Sequence, residues 1–386
     1  MSPVDVPVSK GPWWLCPAQI FDGDGLRRGL ALRIEGGTVS DMAPAAEVLD
    51  GATPVRRSDC TVSPMFVDLQ VNGGGGALFN DDPTPAAIAT IARAHRLGGT
   101  GAWFPTLITT TPEVMTRAVD SIIEVHGEYG VIGSHIEGPH ISSQYRGAHA
   151  VEHIRAFDDH TRGLLKRLRD KNIPVILTLA PECIPMDTLS ELIDMGVNVS
   201  IGHSGADPRQ IREALSRGVN LFTHLFNGMP QFRTKNVGMA GVALDSTAWC
   251  SIIADGFHVD DLMIKLAVRA KRGPGTLFAV TDAMPTVHGP SEFNLYGATL
   301  RLQDGKLIDS RGSLAGVHID MIGTLRRLVR MVGLSFETAL SMVTSIPARA
   351  VGLHNQIGVI RKGVAANLLL IDPETITIKE YIGAVT

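Results

Sequence analysis

Cysteine is scarce in this 386-residue chain. Cys16, Cys60, Cys183 and Cys250 are scattered with no Cys-x-x-Cys pair, which excludes a thiolate zinc knuckle and a disulfide framework and suits a reducing compartment. Basic excess is also missing: the formal net charge is −4, so a nucleic acid or a polybasic-seeking membrane surface is not an expected partner. No apolar run reaches the roughly 18 residues of a membrane span, and the first residues lack a basic-then-apolar signal pattern. The expectation is a soluble, cytoplasmic protein. No Gly-x-Gly-x-x-Gly follows the first long strand, and the glycine run Gly73 to Gly76 lacks the Lys-Ser/Thr of a phosphate-cradling loop. Nucleotide-binding readings are therefore weak.

What is present is 44% hydrophobic residues against 19% charged, ordinary for a chain that buries a large core. Residues 1–62 show no helical period; Leu30 to Glu35, Gly36-Gly37 and Thr38 onward read as strand, tight turn and strand. From Met65 the pattern becomes strand, loop, helix, repeated. Strands are expected at Met65–Val71, Ala102–Leu107, Val131–Glu137, Pro174–Ala180, Val197–His203, Val219–His224, Cys250–Ala254 and Thr276–Asp282. Helices at helical spacing separate most of them, among them Pro85–Leu97, Pro112 onward with Thr111 as N-cap, Thr161–Lys171, Asp187–Met195, Asp207-Pro208 through Arg217, and Asp260–Arg272. Eight strands alternating with helices predict an α/β fold, a closed (β/α)8 TIM barrel, rather than a doubly wound open sheet. Two further helices are expected at Ile319–Val332 and Ser335–Thr344, then strand character at Ile357–Ile360 and Ala366–Asp372. The expected organisation is a barrel over 63–352 and a small β-sandwich-like domain made from 1–62 and 353–386.

Four of the predicted strands end in residues able to hold or serve a metal: Glu137, His203, His224 and Asp282. Each alone has an ordinary structural reading, as a hydrogen-bonded histidine or a helix-capping carboxylate. Together they occupy C-terminal strand ends, where a barrel gathers its active site. Two imidazoles and a carboxylate form a common catalytic zinc set, and Asp282 is the expected proton carrier of a hydrolytic reaction. Gln70 and Asn72, two apart on the first strand, point the same way as hydrogen-bonding groups. His149, His258, Arg233 and Lys235 fall in loops on the same side and are candidates to grip a polar or anionic substrate. His135 shares a face with Glu137; for His140, His288 and His318 spacing fixes no role.

These residues resemble the N-acetylglucosamine-6-phosphate deacetylase family, within the amidohydrolase superfamily. The resemblance runs over nearly the whole chain: Met65 to Gly73, Pro105-Thr-Leu-Ile-Thr, His135-Ile-Glu-Gly-Pro, Leu179-Ala-Pro-Glu, Gly202-His-Ser, Thr223-His-Leu-Phe-Asn, Ala254-Asp-Gly-Phe-His, Val280-Thr-Asp-Ala and Pro347-Ala-Arg-Ala. It implies that Glu137, His203 and His224 bind one divalent metal, zinc first, with iron, manganese, cobalt and nickel as alternatives. It implies Asp282 as general base and acid, and Asn227, the Gly228 backbone, His149 and His258 at an amino sugar phosphate, in a homodimer. Gln70 and Asn72 stand where the superfamily often has His-x-His for a second metal. Lys235-Asn-Val-Gly replaces the family's Arg and Glu-Pro-Gly, and a lysine lacks the guanidinium's fork. An unphosphorylated or different N-acyl substrate, and a catalytically degenerate sugar-binding barrel, are the alternatives.

Overall fold

The structure is a computed structural model that describes residues 4–5, 11–49, 54–271, 273 and 275–383. Eight parallel strands form the central sheet: β1 Phe66–Val71, β2 Thr100–Ile108, β3 Ser134–Glu137, β4 Val175–Leu179, β5 Asn198–Ile201, β6 Leu221–Phe222, β7 Trp249–Ile253 and β8 Leu277–Val280. They pair in unbroken chain order. Strands such as β3, β4 and β8 are buried along their whole length, by the helices outside and by the barrel interior inside, and β4 and β8 are correspondingly rich in apolar residues.

The barrel closes between β8 and β1. Val71 bridges Ala283 in parallel, and the amides of Asn72 and Gly73 both donate to the Ala283 carbonyl at 3.0 and 2.9 Å. Below that bridge, the buried Asp68 carboxylate replaces the missing ladder: it accepts from the Thr281 hydroxyl at 2.5 Å, the Thr281 amide at 3.2 Å and the Gln70 amide at 3.3 Å. Val67, Leu69, Phe104, Ile176, Leu221 and Phe278 fill the interior, so the barrel is a packed core.

The outer helices are α1 Pro85–Leu97, α2 Pro112–Val125, α3 Asp159–Asp170, α4 Met186–Asp194, α5 Pro208–Ser216, α6 Gly238–Asp245, α7 Asp261–Ala270, α8 Met321–Arg330, α9 Phe336–Val343 and α10 Ser345–Ala350. Thr111 caps α2 by accepting the Val114 amide, and Asp207 with Gln210 forms a capping box on α5. Arg272, the expected end of α7, lies outside the described residues.

Strands from both ends of the chain form a second eight-stranded sheet. Val55–Pro64 sits at its centre, between Trp13–Phe21 and the C-terminal Leu368–Asp372. Leu15, Ile20, Leu32, Ile34, Val62 and Leu370 give it a core of its own. Gly36 and Gly37 turn its outer hairpin with φ of +56° and +76°, the left-handed pair a type I′ turn demands.

Three differences from the sequence expectation bear on the site. β6 is only two residues long. Ile357–Ile360 forms no strand, although Val359 and Ile360 are buried. An antiparallel sheet of Glu292–Leu295, Ala298–Gln303 and Lys306–Ile308 stands after β8, where no element was expected. No helix among the described residues is long and apolar enough to cross a membrane.

Candidate metal centre

Glu137 is the last residue of β3, whereas His203, His224 and Asp282 each lie two residues past the ends of β5, β6 and β8. Those three have φ of +47°, +30° and +51°. Side chains other than glycine rarely adopt left-handed backbone, and such strain gathers at functional sites. Three atoms meet at the centre: Glu137 Oε1, His203 Nε2 and His224 Nε2 lie 3.0 Å from one another on every side. Tetrahedral ligands about 2.0–2.1 Å from a zinc ion stand roughly 3.3 Å apart, so the triangle fits such an ion.

The protons agree with this. His203 Nδ1 lies 2.8 Å from the Tyr145 carbonyl and so carries a hydrogen, which in the neutral ring leaves the Nε2 lone pair for a metal. His224 Nδ1 is buried without a partner. Two imidazole nitrogens this close to a buried carboxylate would be satisfied by a positive charge in their midst. Burial alone would raise the Glu137 carboxyl, but hydrogen bonds from His203 and His224 hold it well below the carboxylate range. For His224 burial acts downward and the same contact with Glu137 overrides it, raising the imidazole. A divalent cation would take the place of that proton. His149 also brings a ring nitrogen within 4.8 Å of Glu137 and His203. Its Nδ1, however, accepts from the Thr109 hydroxyl at 2.7 Å, and the 3.0 Å triangle with His224 is the tighter set.

Asp282 faces this triangle. Its Oδ1 accepts from Asn72 Nδ2 at 2.6 Å and Gln70 Nε2 at 3.1 Å, and the same Gln70 nitrogen donates to Glu137 Oε2 at 3.2 Å. A single amide nitrogen thus bridges the two carboxylates. Burial, then the Glu137 charge, pushes the Asp282 carboxyl up to about 6. The cavity above measures about 690 Å3. Of the expected substrate contacts, Asn72, His149, Asn227, Gly228 and His258 line it; Gln70 lies beneath. Arg233 and Lys235 do not line it: both are exposed, on a turn closed by the Arg233 and Asn236 backbones. Burial, then the His203 charge, drives His149 down to about 3, so it is a neutral ring whose Nε2 carries the proton. His258 Nδ1 donates to Asp255 at 2.6 Å, which frees Nε2 for the cavity.

Residues 61–384 match the model of the Amidohydrolase family. The chain belongs to that family. Among curated relatives, it is 34% identical to an N-acetylgalactosamine-6-phosphate deacetylase of Shewanella sp. (strain ANA-3), over 92% of this chain and 91% of that one. It is 32% identical to the human N-acetylglucosamine-6-phosphate deacetylase, over 82% of this chain and 81% of that one. Among solved structures, the N-acetylglucosamine-6-phosphate deacetylase of Pasteurella multocida superposes with a TM-score of 0.89 at 30% identity, covering 95% of this chain and 97% of that one. A mutant of the Mycobacterium smegmatis enzyme, in complex with N-acetyl-D-glucosamine-6-phosphate, gives 0.85 at 26% identity, covering 96% and 99%.

The histidines that spacing left without roles support this amidohydrolase barrel. His135 donates from Nδ1 to the Leu69 carbonyl and accepts the Thr178 hydroxyl, opening a buried chain through Thr223 to Ser200 beneath the triangle of Glu137, His203 and His224. His140 binds Arg155 and Thr161, His288 pairs with Asp320, and His318 contacts Thr286. Sequence reasoning missed the cavity's far wall, where Leu295, Tyr296 and Leu300 of the antiparallel sheet stand with Met284. Its signal was present: Asp304-Gly305 is a strong hairpin dipeptide, and both residues have positive φ. Arg146, also on the wall, had no distinguishing signal.

Proposed function

We propose that this amidohydrolase removes the acetyl group from an N-acetylated hexosamine 6-phosphate, releasing acetate and the free amine. Glu137, His203 and His224 would hold one divalent ion, zinc first, which when bound polarises the amide carbonyl and acidifies water. Asp282 takes the proton of the attacking water and returns it to the departing nitrogen. Gln70 and Asn72 both donate to its Oδ1, so Oδ2 is the oxygen left for that transfer. The neutral His149 offers an N–H to the substrate, and His258, Asn227 and the Gly228 backbone line the sugar's path. The observation that carries this reading is the 3.0 Å triangle of ligand atoms with Asp282 one amide away.

In the same reading the enzyme is a cytoplasmic homodimer with unit boundaries near residues 62 and 353. Support for the dimer is the exposure of Phe232 and Val237 beside Arg233 and Lys235. The 34% identity to a relative named N-acetylgalactosamine-6-phosphate deacetylase favours a second version, in which the sugar is the galactose epimer. Asp282→Asn should lower kcat by about 100- to 10,000-fold, the usual reach of a general acid-base, with metal content by elemental analysis nearly unchanged. Near-normal turnover in that variant removes Asp282 from its role. A panel of both epimers, with and without phosphate, separates the two versions from an unphosphorylated substrate. Failure to hydrolyse any member, together with no bound metal, would leave a sugar-binding barrel instead.

A further inference from the structure

A phosphate dianion in a half-enclosed cavity requires a cation, and the cavity wall offers few. His203 and His224 are committed to the centre, His149 accepts the Thr109 amide and hydroxyl on Nδ1 and so offers no charge, and His258 is already paired with Asp255. Among the described residues of the wall two arginines remain, Arg146 and Arg311. Arg311 is 83% exposed and its fork is closed on Asp309, with Nη2 at 3.1 Å and Nε at 3.2 Å, so its charge is both solvated and cancelled.

Arg146 differs on each count. It is half-buried, and among the described residues no carboxylate pairs with it. Its Nη1 donates to the His149 carbonyl at 2.7 Å, which fixes the guanidinium against the wall. The amide of His149 returns to the Arg146 carbonyl at 3.1 Å, so residues 146–149 form a closed turn. The preceding carbonyl, of Tyr145, is the one that orients His203. Arg146 is therefore held in register with the ligand triangle, and its Nε and Nη2 hydrogens remain for a ligand. The carboxylate of Glu152 also lines the cavity, but it is exposed at the rim, where water and salt screen it.

We propose that Arg146 is the residue that selects a phosphorylated sugar, gripping the phosphate with the fork that Lys235 lacks. This rests on the deacetylase reading above. A guanidinium matches two phosphate oxygens at once, whereas a lysine offers a point charge.

The test compares kcat/KM of the metal-loaded enzyme on N-acetylhexosamine 6-phosphates and on the free sugars, for the parent, Arg146→Ala and Arg146→Lys. Losing a charge-assisted hydrogen bond should lower kcat/KM on the phosphorylated substrate by about 10- to 100-fold, chiefly through KM, and narrow the preference for phosphate by at least about tenfold. Arg146→Lys should recover part of it. Inorganic phosphate should inhibit the parent competitively and the alanine variant at least about tenfold more weakly. An equal loss on both substrates would mark a merely structural arginine and overturn the inference. So would a collapse of the preference in Arg311→Ala or Lys235→Ala but not in Arg146→Ala. If the parent prefers the phosphorylated sugar and Arg146→Ala keeps that preference, this inference alone fails. If the parent deacetylates none of the sugars, the functional reading fails with it.

Discussion

Asp68 shows how one carboxylate can both close a barrel and limit its pH range. It lies wholly buried at the seam, and burial pushes its carboxyl up to about 7, against the pull of the Thr281 and Gln70 donors. Its ordinary value is 3.8. Between roughly pH 4 and 7 the folded chain retains a proton that the unfolded chain has released. Stability from this group is thus complete below pH 4, falls as pH rises across that window, and is level above it. An asparagine in its place would mimic the protonated form, because the new amide can donate to Thr281 while the Thr281 hydroxyl turns to the Gln70 carbonyl 3.4 Å away. Asp68→Asn should therefore match the parent near pH 4 and exceed it by on the order of a few kcal/mol at pH 8. Urea midpoints at the two pH values check this, and parallel curves for the two proteins would mean that Asp68 is ionised in the folded state.

At the scale of the element, the site depends on how strands end. Gly202 separates β5 from His203, and a Cβ there would come within 2.8 Å of both Thr178 Cγ2 on β4 and Thr223 Cβ just past β6. Gly202→Ala should cost about 1–3 kcal/mol by overpacking and, if His203 holds the ion as proposed, should also weaken metal binding, since the strain falls on its neighbour in the chain. Calorimetric unfolding and a metal titration read the two effects separately; a destabilised variant with parental metal affinity would show that the strand end relaxes independently of the ligand. The same ends mark the limit of what the chain's pattern reveals. Runs such as Val175–Leu179 are legible because burial on both faces makes them apolar at all but one position, Thr178. β6 reads longer than it is because Thr223 and His224 continue its pattern, yet the His224 amide leaves the ladder for the Ser251 hydroxyl at 2.7 Å. The left-handed backbone at His203, His224 and Asp282 is illegible in principle, since no glycine or asparagine announces it. The loop that carries Arg233 and Lys235 suggests a substrate role for both, but a sequence locates a loop without the direction its side chains take.

Taken whole, the molecule converges four distant strand ends, from Glu137 to Asp282, on one buried group of charges. Without a cation, Glu137 is balanced by protonated imidazole among three buried side chains; with one, the three strand ends would share a single counter-charge. Binding to the folded state alone adds about 4 kcal/mol when the free ion is roughly a thousandfold above its Kd. The centre ties β3, β5 and β6, while the terminal sheet, with its separate core, has no part in it. Chelation should therefore lower the Tm of the barrel by several degrees, reversed by adding the divalent ion back, and should lower it equally in Asp282→Asn. His203→Ala should melt at nearly one temperature with or without the ion. Scanning calorimetry of the three proteins, each with and without a chelator, decides the matter. Coincident melts for the parent in both states would mean that Glu137, His203 and His224 are held together by the barrel alone, with no ion contributing to the folded state.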